Sequence, residues 1–107
     1  MPKVIVNDNN FSPEVLQEAN RPVLVDFWAT WCYPCRVQGP IVDELAKEFG
    51  DKVKVAKLEV DDSPTTTMKY GVLSIPTLAI FKAGKLVWQG VGVHQKNALA
   101  AELQKHL

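Results

Sequence analysis

The sequence predicts an α/β domain, a mixed sheet with helices on both faces. Short apolar runs suited to strands alternate with segments of helical periodicity, in the order βαβαβαββα. The last two strand-like runs are separated only by a tight turn, so they pair as an antiparallel hairpin, while helices separate the earlier ones. The chain has 107 residues, 47% of them hydrophobic, which suits one core and a single domain over 1–107.

The elements follow in chain order. Val4-Ile5-Val6 reads as a short strand. Ser12-Pro13-Glu14 reads as a helix start, with Ser at the N-cap, Pro at the first helical position and an acid in the first turn. That helix runs to about Ala19, where Asn20-Arg21-Pro22 breaks it. Val23 to Ala29 is a near-continuous apolar run, the pattern of a strand buried on both faces at the centre of a sheet. Val37, Ile41, Val42, Leu45 and Phe49 then mark one helical face, closed by Gly50 as a C-cap. Gly39-Pro40 lies inside this helix, where proline removes one backbone bond and should kink it. Lys52 to Val60 reads as a strand, and Ser63-Pro64 repeats the helix-start signature for a short helix ending near Tyr70-Gly71. Thr77 to Phe81, the turn Ala83-Gly84-Lys85 and Leu86-Val87-Trp88 form the hairpin. Gln95 to Leu107 closes the chain as a helix with Leu99, Leu103 and Leu107 on one face.

Composition narrows the function classes. Twelve Lys and Arg balance twelve Asp and Glu, so no basic field exists to hold nucleic acid or an anionic membrane. No apolar run approaches the ~20 residues of a membrane helix. Met1 to Asp8 shows neither a long apolar stretch nor a cleavage site, so a cytoplasmic location is expected.

The only two cysteines sit in Trp31-Cys32-Tyr33-Pro34-Cys35, where a strand-like run gives way to a helix-like one. That placement reads as a redox motif. A thiolate is the nucleophile in disulfide exchange, and the unpaired amides and dipole of a helix start stabilise it. Cys32 is therefore expected to attack, with Cys35, one turn into the helix and more buried, as the resolving thiol. Pro34 suits the first turn because its missing N–H would have been unpaired there. A structural staple closing so short a loop would stabilise little. Zinc would need four ligands in a closed site; only His94 and His106 remain, without finger spacing, and both read more simply as exposed residues around the last helix.

Asp26 interrupts the apolar run, where an ionised carboxylate is costly to bury without a partner. Burial would raise its pKa and let it exchange protons near neutral pH; the alternatives are an aspartate meeting water near the strand end, or a structural ion pair. Lys57, also in an apolar strand, is a partner for Asp26 if the two strands are neighbours. Trp28 and Trp31 flank the motif, one expected in the core and the other on the surface. Ile75-Pro76 opens a strand, and the ordinary expectation for such a bond is trans.

With Phe27-Trp28-Ala29-Thr30 before the Trp-Cys-x-Pro-Cys motif, Pro40 after it, Val55-Ala56-Lys57-Leu58, Tyr70-Gly71-Val72, Ile75-Pro76-Thr77, Phe81-Lys82-Ala83-Gly84 and Gly92, the chain resembles the thioredoxin family over essentially its whole length. The resemblance implies a central five-stranded mixed sheet flanked by four helices in three α/β/α layers. It implies a protein disulfide reductase using a reversible Cys32–Cys35 dithiol/disulfide, with no bound cofactor. It also implies that Ile75-Pro76 is cis, that the Ile75 backbone pairs with an extended substrate chain, and that Asp26 takes the proton from Cys35 with Lys57 tuning it. Trp31, Val60, Ile75, Val91 and Gly92 match the family's apolar docking surface. Implied partners are a thioredoxin reductase and disulfide-containing proteins, with a monomer as the working form. Tyr33 stands where the family usually has glycine and adds a phenol to the docking rim. Trp88 and Gly90 are unusual in the last strand, and Leu73-Ser74 is an unusual pair before Ile75.

Overall fold

The computed structural model describes residues 3–107; Met1 and Pro2, the start of the N-terminal stretch read for a leader, lie outside the described residues. Five strands form one sheet in the order β1-β3-β2-β4-β5: β1 Val4–Val6, β2 Val23–Trp28, β3 Lys54–Glu59, β4 Thr77–Lys82 and β5 Lys85–Val91. β3 is parallel to both β1 and β2, and β4 is antiparallel to both β2 and β5. Among the described residues, four helical segments cover the sheet: Ser12–Leu16, α1 Tyr33–Phe49, α2 Pro64–Lys69 and α3 Lys96–Gln104.

Period-two alternation sorts the central strands between two cores. Val23, Val25 and Phe27 of β2 join Ala56 and Leu58 of β3 and Ala79 and Phe81 of β4 against Phe11, Val15 and Val72. On the other face, Leu24, Val55, Leu78 and Ile80 pack on Val42, Leu45 and Ala46 of α1 and Leu99 and Leu103 of α3. β2 is paired along both edges and covered on both faces, as its unbroken apolar run requires. Each fully buried large aliphatic or Phe side chain here contributes about 1.5–3 kcal/mol relative to exposure. Asp26 and Lys57 take their parity from Leu24 and Val55, so both face the α1 side of the sheet.

Several expectations are corrected. The first helical segment ends at Leu16 rather than Ala19, closed by a wide Gln17 N–H to Ser12 carbonyl bond. Ser12 does not cap it. Asn7 begins the turn instead, its Oδ1 accepting the N–H groups of Asn9 and Asn10, because Phe11 must enter the core between Tyr70 and Phe81. Nor does Ser63 cap α2: its buried hydroxyl has no partner among the described residues, and the Asp8 carboxylate accepts from Thr65 and Thr66 N–H at 3.1 and 2.8 Å. Those bonds hold the Asp8 carboxyl below its ordinary pKa. The third strand begins at Lys54, after a 3₁₀ turn at Gly50–Lys52, and ends before another at Val60–Asp62. α3 stops at Gln104, leaving Leu107 exposed rather than in the core, and Val37 faces outward from α1. His94 and His106 are half-buried rather than exposed. Other expectations hold. Gly50 C-caps α1 at φ 55°, its N–H bonded to Ala46. The β4–β5 hairpin also forms, with a turn one residue shorter than expected: Ala83 and Gly84 alone make it, both at the positive φ such a hairpin needs, and Lys85 already pairs with Lys82 as the first residue of β5.

Candidate functional site

The site forms where β2 ends and α1 begins. Cys32 is the N-cap of α1, in extended conformation, and its Sγ accepts the N–H of Cys35 at 3.2 Å. The following residues turn helical at once, with Pro34 in the first turn needing no acceptor for a missing N–H. Cys32 and Cys35 are joined as a disulfide, with Cα atoms 5.3 Å apart. They pack with Ala29 beneath Trp28, Val60 and Ile75. Cys35 is not the more buried of the two: they are 4% and 5% exposed, because in the bonded state the same apolar side chains cover both sulfurs. What distinguishes them is the helix start, which directs an amide and the positive end of the dipole at Cys32.

Asp26 is fully buried, and neither carboxyl oxygen has a hydrogen-bond partner among the described residues. Its strand neighbour across the parallel ladder is Lys57, whose Nζ lies 3.9 Å from the Asp26 carboxylate and 4.0 Å from that of Asp43. Burial pushes the Asp26 pKa up to about 6; Lys57 pulls it back down and Asp43 adds to the rise. A groove of about 440 Å³ lined by Trp28, Cys35, Gly39, Pro40, Asp43 and Lys57 runs beside this pair. It places Cys35 and the Asp26–Lys57 neighbourhood on one side of α1. A carboxyl titrating near 6 in such a setting can accept a thiol proton at neutral pH.

A second, apolar face lies beside the disulfide. Trp31, Val60, Thr67, Val72, Leu73, Ser74 and Ile75 line an open hollow of about 370 Å³. Trp31 is the surface tryptophan of the flanking pair, held by its indole N–H donating to Asp61 at 2.8 Å, while Trp28 is half-buried. Ile75-Pro76 is cis. Pro76 lies alongside the end of β5, with the Gly92 N–H donating to the Pro76 carbonyl at 2.8 Å and Thr77 opposite Val91. Tyr33, Trp31, Leu73 and Val91 are all mostly exposed, so this rim presents more apolar surface than a single scattered side chain. Leu73 is 96% exposed, whereas Trp88 packs on the α1–α3 side of the sheet.

Val60 and Ile75 thus pack around the two cysteines, Asp26 and Lys57 pair across β2 and β3, and Pro76, Val91 and Gly92 meet at the end of β5. One residue escaped the sequence reading. Gln38 is fully buried in α1, and its side-chain amide makes reciprocal bonds with the backbone of His94: His94 N–H to Oε1 at 2.7 Å and Nε2 to the His94 carbonyl at 3.0 Å. Among the described residues, no group of three or more His, Cys, Asp or Glu stands close enough to hold a metal ion. No helix there is long and apolar enough to cross a membrane.

A family model described as Thioredoxin matches residues 2–105 of the chain. Thioredoxin 1 of Synechococcus elongatus is 52% identical over 102 residues, covering 95% of this chain and 94% of its own length. The thioredoxin of Pyropia yezoensis is 50% identical with the same coverage. That of Rickettsia prowazekii is 47% identical, covering 95% of this chain and 96% of its own.

Proposed function

We propose a division of labour between the two sulfurs, starting from the fact that this chain belongs to the thioredoxin family and is a protein dithiol–disulfide oxidoreductase. In the reduced protein the Cys32 thiolate attacks one sulfur of a substrate disulfide. A bond forms between Cys32 and that sulfur, and the other substrate sulfur leaves as a thiolate. Asp26 accepts the Cys35 proton. The Cys35 thiolate then attacks the Cys32 sulfur, closing the Cys32–Cys35 disulfide and releasing the second substrate thiolate. Two electrons pass from the protein to the substrate, and both released thiolates take up protons. Lys57 tunes Asp26 through its charge.

Trp31, Tyr33, Pro34, Val60, Ile75, Pro76, Val91 and Gly92 form the surface on which an extended substrate segment lies, pairing with the Ile75 backbone as an added strand. A dithiol spent in this way must be reduced again. The reading therefore takes a thioredoxin reductase as electron donor, disulfide-bearing proteins as substrates, and a monomer in a reducing cytoplasm as the working form.

The observation that carries this reading is the Cys32 sulfur at the N-cap of α1, receiving the Cys35 amide at 3.2 Å. The test is trapping. Cys35→Ser, incubated with oxidised insulin or a cell extract, accumulates a covalent adduct released by dithiothreitol, and Cys32→Ser does not. An adduct on Cys35 in the Cys32→Ser protein reverses the assignment.

A further inference from the structure

We infer that Gln38 is a positioning residue: its amide clamps the helix carrying the two cysteines to the loop carrying Gly92, and so sets where the docking edge stands relative to the Cys32 sulfur. The inference rests on the docking surface proposed above and adds a residue to it. Gln38 occupies an otherwise apolar, fully buried position one turn beyond Cys35. A polar amide there loses its water contacts and recovers them only through the two bonds to His94. His94 needs them equally. It lies between the end of β5 at Val91 and the start of α3 at Lys96, outside the strand ladder. The Gln38 amide meets its backbone as an adjacent strand would.

From His94 the connection continues to the docking edge. The His94 ring places Nδ1 2.8 Å from the Gly92 carbonyl, which can only accept, so Nδ1 carries the hydrogen. The Gly92 N–H in turn donates to the Pro76 carbonyl at 2.8 Å. The ring is seated edge-on against Trp88, centroids 5.4 Å apart. Gly90 makes that seat possible: a Cβ there would fall 2.7 Å from both the Trp88 ring and His94 Nε2. The unusual Trp88 and Gly90 thus serve the same arrangement as Gln38, a continuous path from α1 through His94 and Gly92 to Pro76.

Docking depends on this path, whereas the thiolate itself depends on the helix start. The test compares the full-length wild type with Gln38→Met, which keeps the volume and removes both bonds. For insulin reduction the variant should show KM raised about fivefold with kcat within about twofold, because a small misplacement of the docking edge weakens substrate binding. Alkylation of reduced Cys32 by iodoacetamide, which needs no docking, should stay within about twofold of wild type. KM within about twofold of wild type, or an alkylation rate falling in step with the loss in kcat/KM, overturns the clamp. If Gln38→Met does not fold, His94→Ala decides. It keeps the backbone groups that Gln38 holds and removes the ring's bond to Gly92, so KM should rise about two- to threefold, and an unchanged KM overturns the proposal. A wild-type Cys32 no more reactive than an ordinary exposed thiol would instead overturn the nucleophile reading beneath it.

Discussion

The Asp26 carboxylate and the Lys57 ammonium oppose each other across the parallel β2–β3 pairing at 3.9 Å, an ion pair without a hydrogen bond. Lys57 is close enough to pull the Asp26 pKa down and too far to offset the cost of burial. The carboxyl is left at about 6, against an ordinary 3.8.

That shift makes stability depend on pH. Between pH 3.8 and about 6 the unfolded chain ionises Asp26 while the folded chain keeps it protonated. Stability is full below this window, falls as pH rises through it and stays lower above. At 1.36 kcal/mol per pKa unit the loss amounts to about 3 kcal/mol. Asp26→Asn, which cannot ionise, should therefore gain up to about 3 kcal/mol over wild type at pH 8 and little or nothing at pH 3.5, read from urea unfolding at both pH values. A stability difference that is the same at both would remove Asp26 as the titrating group.

Asp26 was legible because a lone acid in an apolar run is an anomaly that local pattern exposes. Its pairing with Lys57 was not, since strand neighbours are chosen by topology and no spacing along the chain encodes them. Gln38 was hidden for a related reason. A glutamine in a helix reads as solvent-facing, and this one is buried because a loop 56 positions later passes over it. Asp8 capping α2 across a similar separation was equally invisible, while Ser63-Pro64 offered a local cap that the fold does not use. The motif, the hairpin and the doubly buried β2 strand, by contrast, follow from period and composition.

Gly39 of α1 stands close to this ion pair, and a Cβ there would lie 3.3 Å from Lys57 Nζ. The contact is with the far end of a flexible side chain, which can yield by a few tenths of an ångström. Alanine gains up to about 1 kcal/mol over glycine in a helix interior. Gly39→Ala should therefore raise the melting temperature by about 4 °C, measured calorimetrically. A lower melting temperature would show that Lys57 has no room to move.

Tyr33 is the first helical residue after the Cys32 N-cap, and its ring is mostly exposed on the rim. In the oxidised protein the disulfide already holds this turn in place. In the reduced protein only backbone preference and the Cys35 amide hold it, and glycine loses more conformational freedom there than tyrosine does. Tyrosine thus favours the reduced form, by about 0.5 kcal/mol on the helix scale. At roughly 30 mV per 1.4 kcal/mol for a two-electron couple, this makes the protein a weaker reductant by about 10 mV. Tyr33→Gly should have the more negative potential when both proteins are equilibrated against the glutathione couple. A less negative value for the glycine variant would refute this effect on the potential, and an unchanged one would leave Tyr33 acting on docking alone, with insulin KM values for the same pair carrying its effect.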